Sequence, residues 1–248
     1  MKKTIFITGA TSGIGLEMTK QLIAQGHTVY ATGRNLSALK SLEHLGAVAI
    51  QADLRKVEDI DRVAAELPAI DVAILNAGLG YFSNAYDLLD EEIDQMLELN
   101  VKAPIYLAKR LAPQMIQREK GHFIFIGSQA GKVATKKASV YAASKHAITG
   151  FVNGLRLELA QYHIHVTGIY PGPIDTPFLQ KADATNAYRD AISQFLIQPS
   201  KVASAVVKAI EKKPREINLP RILGVTSKMY AVAPKVVEFF GSGFFNKK

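Results

Sequence analysis

The chain has 248 residues and a formal net charge of +8, with 48% apolar and 21% charged residues. That balance suits a globular enzyme, and the complete lack of cysteine excludes disulfides, thiolate metal sites and a cysteine nucleophile. No apolar run reaches about 18 residues, which argues against a spanning helix, and the run after Met1-Lys2-Lys3 is too short for a secretory signal, so a cytoplasmic location is expected.

Short β-branched runs alternate with longer helical patterns along the whole chain. Strands are predicted at Thr4–Thr8, Thr28–Ala31, Val48–Ala52, Asp71–Asn76, Phe123–Ile126, His165–Tyr170 and Glu216–Leu219. Helices are predicted at about 13–25, 35–45, 56–67, 90–117, 139–162 and 199–213. Strands that alternate with helices pair in parallel through right-handed crossovers. The expected fold is therefore α/β: a doubly wound, Rossmann-like parallel sheet of about seven strands with helices on both faces. Ligands in such sheets bind at the carboxyl ends of the strands. No repeat or linker divides the chain, so residues 1–248 are read as one domain. The least regular stretch, Ile174–Gln198, follows the sixth strand and is placed to fold over a ligand.

At the first strand–helix junction stands Thr8-Gly9-Ala10-Thr11-Ser12-Gly13-Ile14-Gly15. Glycine there permits a tight turn and a close approach of pyrophosphate to the backbone, and the helix N-terminus adds unpaired N–H groups. Gly9, Thr11, Ser12, Gly13, Ile14 and Gly15 are the candidate phosphate cradle. Arg34 follows the second strand, and no acidic residue lies between Thr28 and Leu42 to accept the ribose hydroxyls of NAD. An arginine in that place can pair with a 2′-phosphate instead, which favours NADP(H) over NAD(H). Asp53, followed by Leu54, comes directly after the third strand as a candidate adenine contact; a cap on the next helix is a second reading, compatible with the first. Asn76-Ala77-Gly78 ends the fourth strand, where a small segment lets a cofactor pass beside the backbone.

Tyr141 and Lys145 are four residues apart in a helical pattern and share one face. Bringing a phenol from about 10 to near 7 takes a preference of about 4 kcal/mol for phenolate, and a neighbouring ammonium in a low-dielectric cleft can supply energy of that order. Ser128 ends the fifth strand, where its hydroxyl either holds a substrate oxygen or satisfies a backbone group. Asn100 interrupts a helical pattern with a residue of mediocre helix propensity; it either orients a water near Lys145 or bonds a neighbouring carbonyl.

Taken together, T-G-x-x-x-G-x-G at Thr8–Gly15, N-A-G at Asn76–Gly78, Asn100, Ser128, Y-x-x-x-K at Tyr141 and Lys145, and Pro171-Gly172-Pro173-Ile174-Asp175-Thr176 resemble the short-chain dehydrogenase/reductase family in its short, single-domain branch. The match runs from about Thr4 to Pro177. The resemblance implies an NADP(H)-dependent enzyme that interconverts a ketone or aldehyde and an alcohol. Tyr141 would be the acid in reduction and the base in oxidation, Lys145 would lower its pKa and hold the nicotinamide ribose, Ser128 would fix the carbonyl, and Asn100 would complete a relay through water. Pro171, Gly172, Ile174 and Thr176 would lie at the nicotinamide, with Ile174 and Thr176 at its carboxamide. The resemblance also implies a homodimer or homotetramer through the two long helices. Competing readings are an NADPH-sensing regulator without turnover, which would have less need of both Tyr141 and Lys145, and a nucleotide-sugar epimerase or dehydratase, whose chains are longer and carry a different glycine spacing. Nucleic acid is not expected as a partner, because no recognition module accompanies the positive charge.

The chain continues for 28 residues past Pro220. This extension carries Arg221, Lys228, Lys235, Lys247 and Lys248 against Glu238, and ends in Val236, Val237, Phe239, Phe240, Phe244 and Phe245. It reads either as a helix packed on the body or on a partner subunit, or as an amphipathic, basic contact with a membrane surface.

Overall fold

A computed structural model describes residues 1–183, 185 and 187–240; Phe244, Phe245, Lys247 and Lys248 of the extension lie outside the described residues. Seven strands form one wholly parallel sheet: β1 (Thr4–Thr8), β2 (Thr28–Gly33), β3 (Val48–Gln51), β4 (Val72–Leu75), β5 (Gly121–Ile126), β6 (Ile164–Pro171) and β7 (Glu216–Leu219), in the order β3-β2-β1-β4-β5-β6-β7. The central strands are apolar on both faces. β4 and β5 are buried at every position, as expected of a parallel sheet covered on both sides. The strand order reverses between β1 and β4, which opens a crevice at their carboxyl ends.

One face carries α1 (Gly13–Ala24), α2 (Leu36–His44) and α9 (Pro199–Lys212); Met18, Leu22 and Leu42 pack there with Val202, Val206 and Ile210. The other face carries α3 (Val57–Glu66), α5 (Ala103–Gln117) and α6 (Ser139–Ala160), whose Ile60, Leu107, Leu111 and Val152 cover Phe6, Phe123 and Phe125. The predicted elements thus stand close to their expected places, with two corrections. The helix expected over 90–117 is α4 (Asp90–Leu97), one π-helical turn (Glu98–Lys102) and α5, with Asn100 buried inside the turn. Asp53 does not cap α3: Lys56 holds that position, while the Asp53 carboxylate takes the Arg55 guanidinium at 2.5 Å and the Asp53 N–H donates to Asp59 at 2.8 Å. The short elements α7 (Pro177–Ala182) and α8 (Ala187–Ala191) fill the irregular stretch after β6.

The extension forms α10 (Arg221–Val232) and α11 (Pro234–Phe240). α10 packs on β7 through Gly224 and Ser227, both buried. A β-carbon on Gly224 would lie 2.7 Å from the Asn218 side chain, so the close fit requires glycine. No helix among the described residues is long and apolar enough to cross a membrane.

Candidate active site

A cavity of about 730 Å³ lies over the carboxyl ends of the strands. One end is made by the turn between β1 and α1. Gly9 and Gly13 there have φ of +64° and +53°, conformations in which a side chain is strained. A β-carbon on Gly15 would lie 2.1 Å from the Gly9 carbonyl oxygen, so the first turn of α1 can close on the loop only with glycine. Thr8 and Asn76 lock this loop to β4. The Thr8 hydroxyl accepts from the Asn76 and Ala77 N–H groups, each at 2.9 Å, and the Asn76 amide donates to the Thr8 carbonyl at 2.9 Å. Asn76 is thereby a clamp on the glycine loop, a task that the smallness of the Asn76–Gly78 segment did not suggest. Gly9, Thr11, Ser12, Gly13, Ile14, Arg34, Asp53, Leu54, Asn76, Ala77 and Gly78 all line the cavity; Gly15 supports the loop from behind. The Arg34 side chain is exposed and forms no ion pair among the described residues, although, after the Arg55 hydrogen bond, its charge helps hold the Asp53 carboxylate below its ordinary pKa, leaving a cation at the end of β2. This donor-rich loop at a helix N-terminus, beside a cation, fits the phosphates of a dinucleotide.

Tyr141, Lys145 and Ser128 line the middle of the cavity together with Pro171, Gly172, Ile174 and Thr176. Tyr141 and Lys145 lie on one face of α6, with the Lys145 Nζ 5.8 Å from the centre of the phenol ring. Nζ also donates to the Ile126 carbonyl at 3.3 Å. The Ser128 hydroxyl accepts from the Ala130 N–H at 3.1 Å and shares a hydrogen bond with the Tyr141 side chain. Both tasks considered for this serine are therefore open to it. Asn100 lies deeper. Its Oδ1 accepts from the Leu79 N–H at 2.9 Å, and its Nδ2 donates to the Leu79 carbonyl at 2.8 Å and to the Ser144 hydroxyl at 3.0 Å. Ser144 in turn donates to the Tyr141 carbonyl at 2.7 Å. Asn100 thus ties the segment after Gly78 to the turn of α6 that carries Tyr141, and only one Oδ1 lone pair remains for a water.

Burial pushes the Tyr141 phenol up to about 12, with the Ser128 hydrogen bond acting downward. Burial also lowers Lys145 to about 8. The sequence led us to expect a phenol lowered by its lysine; in the protein alone, burial dominates and the Ser128 contact is what acts against it. The phenol therefore stays protonated near neutrality, and the lysine keeps its charge below about pH 8.

The far end of the cavity is aromatic and aliphatic. Phe82 packs edge-on against Tyr141, with ring centres 5.7 Å apart, and against Tyr188 at 5.2 Å; Phe178 stands 5.7 Å from Tyr141. Leu223, Tyr230 and Val237 of α10 and α11 complete the wall. These residues were not singled out from the sequence, since an apolar side chain lining a pocket has the same signature as one in a core. Behind Ser128, Gln129 donates to the Tyr170 carbonyl at 2.7 Å and to Asn218 at 2.9 Å, and Lys132 bonds Glu216 and Asn218, both at 3.0 Å. This network braces the serine loop against β7, the strand from which the extension departs.

A family model described as short chain dehydrogenase matches residues 3–187. An uncharacterized short-chain type dehydrogenase/reductase of Sinorhizobium fredii is 34% identical over 210 residues, 83% of this chain and 84% of that one. The dehydrogenase/reductase SDR family member 7B of Mus musculus is 34% identical over 233 residues, 87% of this chain and 72% of that one. Among solved structures, the fold is similar to a short-chain dehydrogenase from Sphingobium yanoikuyae in complex with NADPH, with a TM-score of 0.83 at 25% identity over 95% of this chain and 94% of that one. It is also similar to the closed form of a serine dehydrogenase complexed with NADP+, with a TM-score of 0.81 at 31% identity over 87% and 93% of the two chains.

Proposed function

The chain belongs to the short-chain dehydrogenase/reductase family and is an oxidoreductase of that type, and on that premise we propose that it uses NADP(H) to interconvert a ketone or aldehyde and the corresponding alcohol. The observation that carries this reading is one continuous cavity that joins the glycine loop and the available Arg34 cation to Tyr141, Lys145 and Ser128. When bound, the nicotinamide supplies or accepts the hydride. In reduction the Tyr141 hydroxyl gives its proton to the substrate oxygen, and the Ser128 hydroxyl holds that oxygen beside it. The Lys145 ammonium stabilises the phenolate left behind, offsetting the burial that otherwise disfavours it. Asn100 fixes the turn of α6 that presents both residues and has one lone pair with which to seat a water on the proton's path. Oxidation runs the same path in reverse.

The carboxylate that would bind NAD is absent after β2, which supports the 2′-phosphate preference. The phenyl and aliphatic wall supports a substrate whose carbonyl is attached to apolar groups. The whole chain serves as one cytoplasmic domain in this reading. Its assembly is a homodimer or homotetramer through α5 and α6, where Leu157 is an apolar side chain left 75% exposed. The test is a panel of ketones and aldehydes incubated with NADPH and with NADH, followed by loss of absorbance. Consumption of NADPH in preference to NADH is expected. Binding of neither nucleotide, or a clear preference for NADH, would overturn the assignment.

A further inference from the structure

α10 is an unusual helix in having apolar residues on two separate arcs. At 100° per residue, Leu223, Thr226 and Tyr230 fall on one arc and line the cavity. Gly224 and Ser227 fall on a second arc, buried against the body. Ile222, Val225, Met229 and Val232 repeat at steps of three and four on a third arc, which adjoins the cavity arc at Ile222 and faces solvent, and are 59%, 55%, 57% and 87% exposed. α11 continues the division: Val237 lines the cavity while Val236 and Phe239 are 55% and 76% exposed. Exposed apolar residues scattered singly need no explanation, but a run of them along two consecutive helices does.

The charge beside this stripe has one sign. Arg221 and Lys228 sit next to the stripe on the α10 wheel, and Lys235 precedes the exposed Val236. All three cations are exposed and form no ion pair among the described residues. The one carboxylate of the extension, Glu238, accepts a hydrogen bond from the Tyr230 hydroxyl at 2.9 Å, on the arc that faces the cavity. Lys247 and Lys248 add two further positive charges to the sequence beyond.

We propose that the outer face of α10 and α11 docks on an anionic lipid surface, with Ile222, Val225, Met229, Val232, Val236 and Phe239 entering the headgroup–acyl boundary and Arg221, Lys228 and Lys235 meeting the phosphates. An apolar stripe flanked by lysine and arginine is the pattern that binds such an interface, and unpaired cations favour it over an uncharged partner surface. Docking in this way sets the membrane one helix thickness, about 10 Å, from the cavity wall. Combined with the reading under Proposed function, on which this last point rests, it suits a substrate drawn from the lipid phase.

The test uses the full chain without cofactor or substrate, so that its failure is distinct from failure of the oxidoreductase assignment. Co-sedimentation is measured at low and high salt with vesicles of phosphatidylcholine containing phosphatidylglycerol, and with vesicles of phosphatidylcholine alone. The variant carries Val225→Glu, Met229→Glu and Val232→Glu, none of which lines the cavity; the milder pair Met229→Gln and Val232→Gln is used if the triple variant unfolds. Expected is binding to the anionic vesicles that weakens with salt and falls at least about tenfold in the variant, with sedimentation velocity showing the same oligomer in both. The proposal is overturned if the unaltered chain does not pellet with anionic vesicles at low salt. Equal binding by the variant, or equal binding to neutral vesicles, also overturns it. A change of oligomeric state in the variant without a change in vesicle binding would assign the face to a second copy of the chain instead.

Discussion

The two ends of the cavity serve one reaction but are made of different material. The cofactor end is built from backbone: Gly9 and Gly13 in left-handed conformations, Gly15 pressed against the Gly9 carbonyl, and Asn76 clamping the turn. The substrate end is built from side chains: Phe82 from the segment after β4, Phe178 and Tyr188 from the stretch after β6, and Leu223, Tyr230 and Val237 from the extension. A backbone site admits almost no substitution at its glycines but is indifferent to most of its neighbours. A side-chain wall can be recut one residue at a time without disturbing the sheet. The contrast explains how one cofactor frame can serve a pocket of its own shape, and it can be broken or sharpened by substitutions at each end and at the junction between them.

The largest effect is expected at the junction. Lys145→Met removes the ammonium that, in the proposed mechanism, stabilises the phenolate and would hold the nicotinamide ribose. Turnover should fall at least about 10²-fold, with a smaller loss of NADPH affinity; steady-state rates and a fluorescence titration separate the two. In the unaltered enzyme, burial has lowered this lysine to about 8, so kcat/KM for reduction should decline as pH rises through that value and the ammonium is lost.

At the cofactor end, Arg34→Ala should weaken NADPH binding by roughly 10- to 100-fold, the equivalent of a charge-assisted bond worth about 1.5–3 kcal/mol, while NADH binding hardly changes. Equal loss of both nucleotides would make Arg34 a structural residue. At the substrate end, Leu223→Ala should raise KM for a bulky ketone by roughly tenfold, the scale of a few methylenes in an apolar pocket, with the NADPH dissociation constant unchanged. A parallel change in NADPH binding would mean that the two ends are not separable.

The smallest functional effect is expected from the sheet beneath both ends. His122 is buried on β5, its Nε2 bonded to the Thr167 hydroxyl at 2.8 Å. Burial, joined by the charges of His165 and Lys213, lowers it to about 3. The unfolded chain therefore binds the extra proton between about pH 6.5 and 3, and stability should be fully present above that window and lost as pH falls through it. Denaturant midpoints across this range should show the loss, on the order of a few kcal/mol, and His122→Gln should flatten the slope without moving kcat near neutrality.

The same contrast decides what could be read from the sequence. The parallel sheet was legible because its strands are short, β-branched and separated by helical periods, and the glycine loop because backbone geometry restricts residue choice at fixed spacings. That Tyr141 and Lys145 share one face of α6 was legible through helical periodicity. The π turn was not: Glu98–Lys102 contains no glycine or proline to mark it, and Asn100 is its only unusual residue. Asp53 suits a helix cap by type, but Arg55 two residues on competes for its carboxylate and the helix starts later. The raised phenol followed from burial, which spacing does not encode. The aromatic wall was legible only in part: Phe178 and Tyr188 fall in Ile174–Gln198, the stretch expected to cover a ligand, but Phe82 comes from a segment far earlier in the chain; the double face of α10 was hidden because apolar residues stand on both its cavity arc and its exposed arc.

The central claim, that Tyr141 is the proton donor over a cofactor held elsewhere, is tested most directly by Tyr141→Phe. The exchange removes one oxygen and keeps the ring that packs on Phe82 and Phe178. NADPH affinity and turnover of the best substrate in the panel are measured on the same preparation. The expected result is unchanged NADPH binding with turnover reduced about 10²- to 10⁴-fold or more; near-normal turnover in a variant that binds NADPH normally would contradict the mechanism.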